Sequence, residues 1–340
     1  MRNSWLAIAF FGLLTAPAVQ AAKDLRVFFV DVEGGQSTLI VGPSGESMLI
    51  DTGWPGHNFR DADRIVAAAK SAKLKRIDYV IVTHYHDDHV GGAAQLVQRI
   101  PVGTFVDHGP NIETGKGADR LNEIYTKALA GGAKRLTVKP GDTIPIKGLE
   151  VTVVAAGGEH IQRPVAGAGE PNPDCQACPR KADDPSENAR SLGIVLQYGN
   201  FRLVDLGDLT WNKELDLVCP NNLIGKAGVF VVSHHGVDIS NSPALVRAIH
   251  PRLAVMNNGA RKGGSPDAWR TVKASPGLED LWQLHFAMAG GKETNVPDTM
   301  IANIDEICSG NYLEMTAQSD GSFTIVNSRN KYQRSYPGAR

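Results

Sequence analysis

The 340-residue chain has almost no imbalance of charge: its formal net charge is −1, so composition supplies no basic track for nucleic acid, without speaking to a local one. Beyond its N-terminus no run approaches the ~18 consecutive apolar residues that span a bilayer, and the mature chain is expected to have no membrane span. Cysteine is scarce, with four at 175, 178, 219 and 308. The Cys-x-x-Cys in "DCQACP" has no second half, which argues against a four-thiolate zinc site. No motif signals a serine, threonine or cysteine nucleophile. What is present is therefore informative.

Arg2, the apolar "WLAIAFFGLL" and the small residues of "TAPAVQAAKD" read as a secretory signal, residues 1–21, cleaved after Ala21, with a retained anchor as the alternative. The protein is then secreted or periplasmic, and an oxidising compartment permits disulfides. Cys175 is expected to pair with Cys178, and Cys219 with Cys308.

Residues 22–340 read as a single domain. "LRVFFVDV" and "STLIVGP" form a hairpin, and "SMLIDTG" a third strand. "DADRIVAAAKSAK" is an amphipathic helix feeding the strand "IDYVIVTH", followed by a helix from Gly92 to about Arg99. Strand–helix units recur in the second half, opened by the hairpin of "SLGIVLQYG" and "FRLVDLGD". This is an α/β pattern of two sheets packed as a sandwich with helices outside. Residues 157–188 and 260–297 read as irregular insertions that border the site.

Residues 78–89, "DYVIVTHYHDDH", place three histidines and three aspartates where a buried strand ends. In extended chain His84 and His86 point the same way and can grip one ion. Asp88 and His89, after the turn tightens, suit a second. Imidazole with carboxylate favours zinc, manganese or iron, and two such ions can share a water. Isolated histidines are usually core or surface groups, but this density at a strand end is costly without a cation. The same pattern of apolar strand, hard turn and ligand-type side chain recurs at Asp208 in "DLGD" and at His234 and His235 in "SHHG". Asp208 could bridge both ions.

"THYHDDHVGG", "LIDTG", "DLGD" and "SHHG" together resemble the metallo-β-lactamase superfamily, in order over residues 26–260. Within it, "FFVDVEGGQSTLIVGPSGESMLIDTG" and "SHHGVDISNSPALVRAIHPRLAVMNNG" most resemble the hydrolase domain of ComEC-like competence proteins and their free-standing relatives. The resemblance implies an αββα sandwich of two mixed sheets flanked by helices. It places His84 and His86 at one metal, Asp88 and His89 at the other, Asp208 between them, and the last ligand at His235 in preference to His234. Asp31 and Asp51 look like carboxylates that orient a ligand histidine or the turn. A third histidine at the first metal is common in the superfamily. Here the only candidate in that interval is His160, while "ENARSLGIVL" resembles a ComEC-like motif in which Asn188 and Ser191 line the site. The ComEC-like "GQGD" appears only as "GGQS", with Gln36 in place of its aspartate. Arg261 and Lys262 sit where an anion could be held, with a solvated basic turn as the alternative.

The expected protein is an exported hydrolase with two divalent ions, zinc first, using a metal-bound hydroxide that Asp88 or Asp208 orients or deprotonates. The ComEC-like pattern tilts the substrate toward phosphoesters, including small or nucleic-acid phosphodiesters. Lactam or lactone hydrolysis is the alternative. A di-iron oxidoreductase and a non-enzymatic metal-binding module are competitors from other classes.

Overall fold

Period-two alternation splits strand β1 (Leu25–Phe29) between two apolar layers: Leu25, Val27 and Phe29 face one and Phe28 the other. The structure, a computed structural model, describes residues 24–338. The expected signal peptide lies outside the described residues. Strands β2 (Thr38–Val41) and β3 (Ser47–Ile50) follow β1 antiparallel, and β4 (Ile77–Ile81), β5 (Val102–Asp107) and β6 (Lys134–Thr137) add in parallel.

The second sheet begins with β7 (Glu150–Ala156), β8 (Glu159–His160), β9 (Gly193–Tyr198) and β10 (Phe201–Asp205). It continues in parallel through β11 (Val229–Val231), β12 (Leu253–Met256), β13 (Asp280–His285) and β14 (Ile301–Asn303). The chain then returns to the first sheet as β15 (Leu313–Ala317), β16 (Phe323–Asn327) and β17 (Gln333–Tyr336). Among the described residues the sheets have nine and eight strands.

Helices α1 (Arg60–Ser71), α2 (Asp87–Val90), α3 (Ala93–Leu96) and α4 (Lys116–Leu129) belong to the first half. Ile65, Ala69, Leu96, Leu121 and Tyr125 from α1, α3 and α4 close over Phe28, Leu39, Leu49 and Val80. Helices α5 (Trp211–Val218), α6 (Pro243–Ile249) and α7 (Pro266–Lys273) bring Leu215, Leu245, Ile249 and Val272 to the other layer, which also joins the facing sheets. The architecture is thus α/β, two mixed sheets flanked by helices, and strands apolar on both faces are what that layering demands. No helix of the described residues is long and apolar enough to cross a membrane.

Three expectations are corrected. Residues 260–297 are not irregular: they hold α7 and β13, whose six residues are all buried. The segment looked weakly patterned because β13 buries Asp280, Gln283 and His285 among its apolar residues. The helix expected from Gly92 to about Arg99 is shorter, Ala93–Leu96, and a separate turn of helix, Asp87–Val90, precedes it. Cys175 pairs with Cys219, and Cys178 and Cys308 are free. The long loop returns over the end of α5, where the Asn172 amide donates to the Val218 carbonyl at 3.1 Å, and this sets Cys175 beside Cys219. By contrast residues 157–188 hold only the two-residue β8 and short 3-10 turns.

Candidate metal centre

Strand ends build the site. β3 ends at Ile50 beside β4, so Asp51 lands next to the turn that follows β4. Its carboxylate accepts from Thr83 N at 2.8 Å and Thr83 Oγ1 at 2.6 Å, and lies 2.7 Å from His89 Nδ1. With Nδ1 engaged by a carboxylate, His89 directs Nε2 inward, 3.1 Å from Asp208 Oδ2, 3.2 Å from Asp88 Oδ2 and 3.2 Å from His235 Nε2.

Asp208 arrives from the other sheet. Gly207, at φ 56°, turns the chain after β10, and a Cβ there would lie 3.0 Å from Thr83 Cβ. The glycine lets the two strand-end turns approach. Leu192 N donates to Thr83 O at 2.8 Å across the same seam, and Asp208 N donates to Ser191 Oγ at 3.2 Å. "SHHG" follows β11 with His234 at φ 53° and His235 at φ 54°. Left-handed backbone at two successive histidines is strain of the kind retained at functional sites. It brings both rings to one oxygen: His234 Nε2 and His235 Nε2 are each 3.3 Å from Asp208 Oδ2. His235 Nε2 also lies 3.1 Å from Asp88 Oδ2, and His234 Nδ1 lies 3.2 Å from Ser240 Oγ.

His84 and His86 form the adjoining pair. His84 Nε2 is 3.0 Å from His86 Nδ1 and 4.0 Å from Asp208 Oδ2. On its far side His84 Nδ1 meets Thr83 Oγ1 at 3.1 Å and Ser191 Oγ at 3.4 Å. His86 Nε2 lies 3.0 Å from Glu113 Oε1.

The electrostatics suit a cation. Burial opposes the charged form of Asp88 and Asp208, yet the surrounding imidazoles hold both carboxyls well below the usual range. Burial likewise opposes charge on His89, but Asp208, Asp88 and Asp51 hold it well above the usual histidine value. Burial drops His234 to about 4. Protons shared between buried carboxylates and imidazoles occupy the place that a divalent ion fills at lower cost. One ligand atom from each of Asp88, His89, Asp208 and His235 lies within 4.8 Å of the others. Nitrogen and carboxylate donors at this spacing fit a zinc-class ion.

Other expected residues are placed differently. Asp51 and Ser191 adjoin ligand-type histidines. Asp31 does hold its turn, accepting Glu33 N at 2.9 Å, but its histidine is His285, 2.7 Å away in a separate cluster. His160 stands outside the network, its Nε2 3.3 Å from Gln162 Nε2. Asn188 accepts Ser191 N through its backbone, and its side-chain oxygen is buried without a partner. Lys262 puts its ammonium on Asp88 Oδ2 and 4.9 Å from the Trp54 ring centre. Gln36 donates to buried Asp205 at 2.9 Å. Sequence reasoning missed Glu113 and Glu187, which lie far along the chain from the histidine motif. Glu187 accepts Tyr85 N at 3.1 Å and Ile112 N at 2.8 Å, tying the motif to the loop that carries Glu113.

Fold and cluster together define an α/β sandwich protein with a buried histidine–aspartate site suited to divalent metal. Residues 30–175 match the metallo-beta-lactamase superfamily domain, and members of that superfamily are generally metal-dependent hydrolases. It is 26% identical over 254 residues to ComE operon protein 3 of Bacillus subtilis, covering 70% of this chain and 29% of that protein. It is 23% identical to competence protein ComA of Neisseria gonorrhoeae, covering 75% of this chain and 30% of that one. The chain thus spans less than a third of either relative. Among solved structures, the metallo-beta-lactamase fold protein YhfI of Bacillus subtilis superposes with a TM-score of 0.47 at 12% identity, over 77% of this chain and 96% of that one.

Proposed function

We propose that the protein is an exported hydrolase of phosphoesters, phosphodiesters first, with two divalent ions, zinc before manganese or iron. The observation that carries the metal-dependent reading is the convergence of His84, His89, His234 and His235 on one oxygen of Asp208. His84 and His86 would hold one ion, Asp88, His89 and His235 the other, and Asp208 would serve both. Ions held there supply Lewis acidity that polarises the scissile group and makes water nucleophilic near neutral pH.

The chain's own residues prepare that chemistry. Asp51 and Glu113 hold the outer nitrogens of His89 and His86, leaving their inner lone pairs free. Asp88 or Asp208 orients the attacking water and accepts its proton. Lys262 supports the phosphoester preference, because an ammonium at the rim of the centre complements an anionic substrate better than a neutral lactam or lactone. The Cys175–Cys219 bond supports export, since such bonds persist in oxidising compartments.

Metal content by elemental analysis, paired with hydrolysis of bis(p-nitrophenyl) phosphate and of a chromogenic lactam, tests this in wild type and Asp208→Ala. The expected outcome is phosphodiester cleavage with about two ions at the Asp208 centre, both reduced in the variant. Lactam cleavage alone would replace the substrate class. A metal-free wild type would overturn the reading.

A further inference from the structure

A second group of metal-type donors lies at the same edge of the sandwich. Asp31 follows β1 of the first sheet, and His285 ends β13 of the second; both are fully buried. Glu33 adjoins Asp31, and Cys308 comes from the segment between β14 and β15. One ligand atom from each of the four lies within 4.8 Å of the others. We propose that Asp31, Glu33, His285 and Cys308 form a separate binding site for a zinc-class divalent ion, which ties the two sheets and the 304–312 segment together.

The donors divide their contacts as a metal shell requires. Asp31 Oδ1 and Glu33 Oε2 face His285 Nε2 at 2.7 and 3.5 Å. Their other oxygens, Asp31 Oδ2 and Glu33 Oε1, accept from Arg64 Nη1 at 2.7 and 3.0 Å. Each carboxylate therefore keeps one oxygen for the ion while Arg64 orients the other. His285 Nδ1 has no hydrogen-bond partner, so the polar contacts of this buried ring all fall at Nε2, inside the cluster.

The sulfur is placed to accept on one side and to donate on the other. Gly310 N and Arg64 Nη2 both donate to Cys308 Sγ at 3.4 Å. A thiol is a weak acceptor, whereas a metal-bound thiolate takes such bonds readily. Asp31 Oδ2 and Glu33 Oε1 lie 3.1 and 3.2 Å from the sulfur, and one thiol proton cannot serve both. Cys308 Sγ is 4.0 Å from His285 Nε2. Between the ligand atoms themselves, the separations from His285 Nε2 to Asp31 Oδ1, Glu33 Oε2 and Cys308 Sγ, 2.7, 3.5 and 4.0 Å, bracket the ~3.3–3.6 Å edges of a tetrahedron built on zinc bond lengths of ~2.0–2.3 Å.

Charge closes as well. Two carboxylates and a thiolate against Arg64 leave two negative charges, which a divalent ion cancels. One sulfur, one imidazole nitrogen and two carboxylate oxygens is a donor set for zinc. Glu33 and Cys308 line a groove of about 450 Å³ that gives an ion its way in.

Cobalt reconstitution of the whole chain tests the site. The Asp208 centre contains no cysteine, so thiolate-to-cobalt charge-transfer absorption in the near ultraviolet reports this cluster alone. The band is expected in wild type and in Asp208→Ala, and is expected to vanish in Cys308→Ser. Cys308→Ser is also expected to hold one zinc ion fewer per chain with phosphodiester hydrolysis unchanged. Absence of the band in cobalt-saturated wild type with Cys308 reduced overturns the proposal, whatever the Asp208 centre holds, and so does its survival in Cys308→Ser. Should Cys308→Ser not fold, Glu33→Gln is expected to release the ion to a chelator at least about tenfold more readily, and unchanged release would refute the site.

Discussion

Glu113 Oε1 lies 3.0 Å from His86 Nε2, and so settles which nitrogen of that imidazole faces His84. Because Nε2 is occupied, Nδ1 is left to meet His84 Nε2 at 3.0 Å. Glu113→Ala is expected to lower zinc affinity or turnover by about 10–100-fold, the usual effect of removing a carboxylate behind a ligand histidine. Zinc titration against a competing chelator and steady-state kinetics measure it. Unchanged values in both would leave Glu113 a surface contact.

The pH dependence of stability carries a signature of Glu214. Burial raises its carboxyl to about 7 although Asn241 N and Ser242 N each donate to it at 2.7 Å. The folded state then binds this proton more tightly than the unfolded chain. Stability contributed by the group is full below the ordinary value of 4.5 and is lost as pH rises toward about 7. The loss is at most about 3 kcal/mol. Denaturant unfolding of wild type and Glu214→Gln across that window isolates it, since the metal centre's own titration cancels in the difference. A difference that stays constant with pH would contradict the assignment.

Reducing the Cys175–Cys219 bond frees a loop closed over a separation of 44 residues. The chain-entropy model puts the destabilisation at about 4 kcal/mol. Cys175→Ala with Cys219→Ala should match the reduced wild type in thermal unfolding. Equal stability of the oxidised and reduced proteins would show the loop to be held by its other contacts.

Trp282 on β13 is fully buried and stacks on Tyr332 with ring centres 5.7 Å apart. Trp282→Ala is expected to cost about 3–5 kcal/mol, read as a lower urea midpoint. A loss under about 1 kcal/mol would mean the core repacks around the gap.

Much of this was legible without coordinates. Alternating and continuous apolar runs marked β1 to β4 and β9 to β11, because a strand buried on one or both faces must carry that pattern. The "HYHDDH" turn was legible because its donors are adjacent in the chain, and "DLGD" and "SHHG" because each repeats a strand, a hard turn and a donor. β13 escaped notice since its buried Asp280 is satisfied by Tyr336 Oη at 2.6 Å, a partner 56 residues away. No local pattern records such a debt.

Local sequence therefore determined those strands, the α/β class and the group of candidate ligands in the motifs, since periodicity and short-range spacing depend only on backbone geometry. Tertiary structure alone decided the rest. It brought both His234 and His235 to Asp208, set Glu113 behind His86, joined Cys175 to Cys219 and gathered Asp31, Glu33, His285 and Cys308. Each of these depends on how two sheets meet at an edge, and partners brought together by packing leave no spacing in the chain to be read.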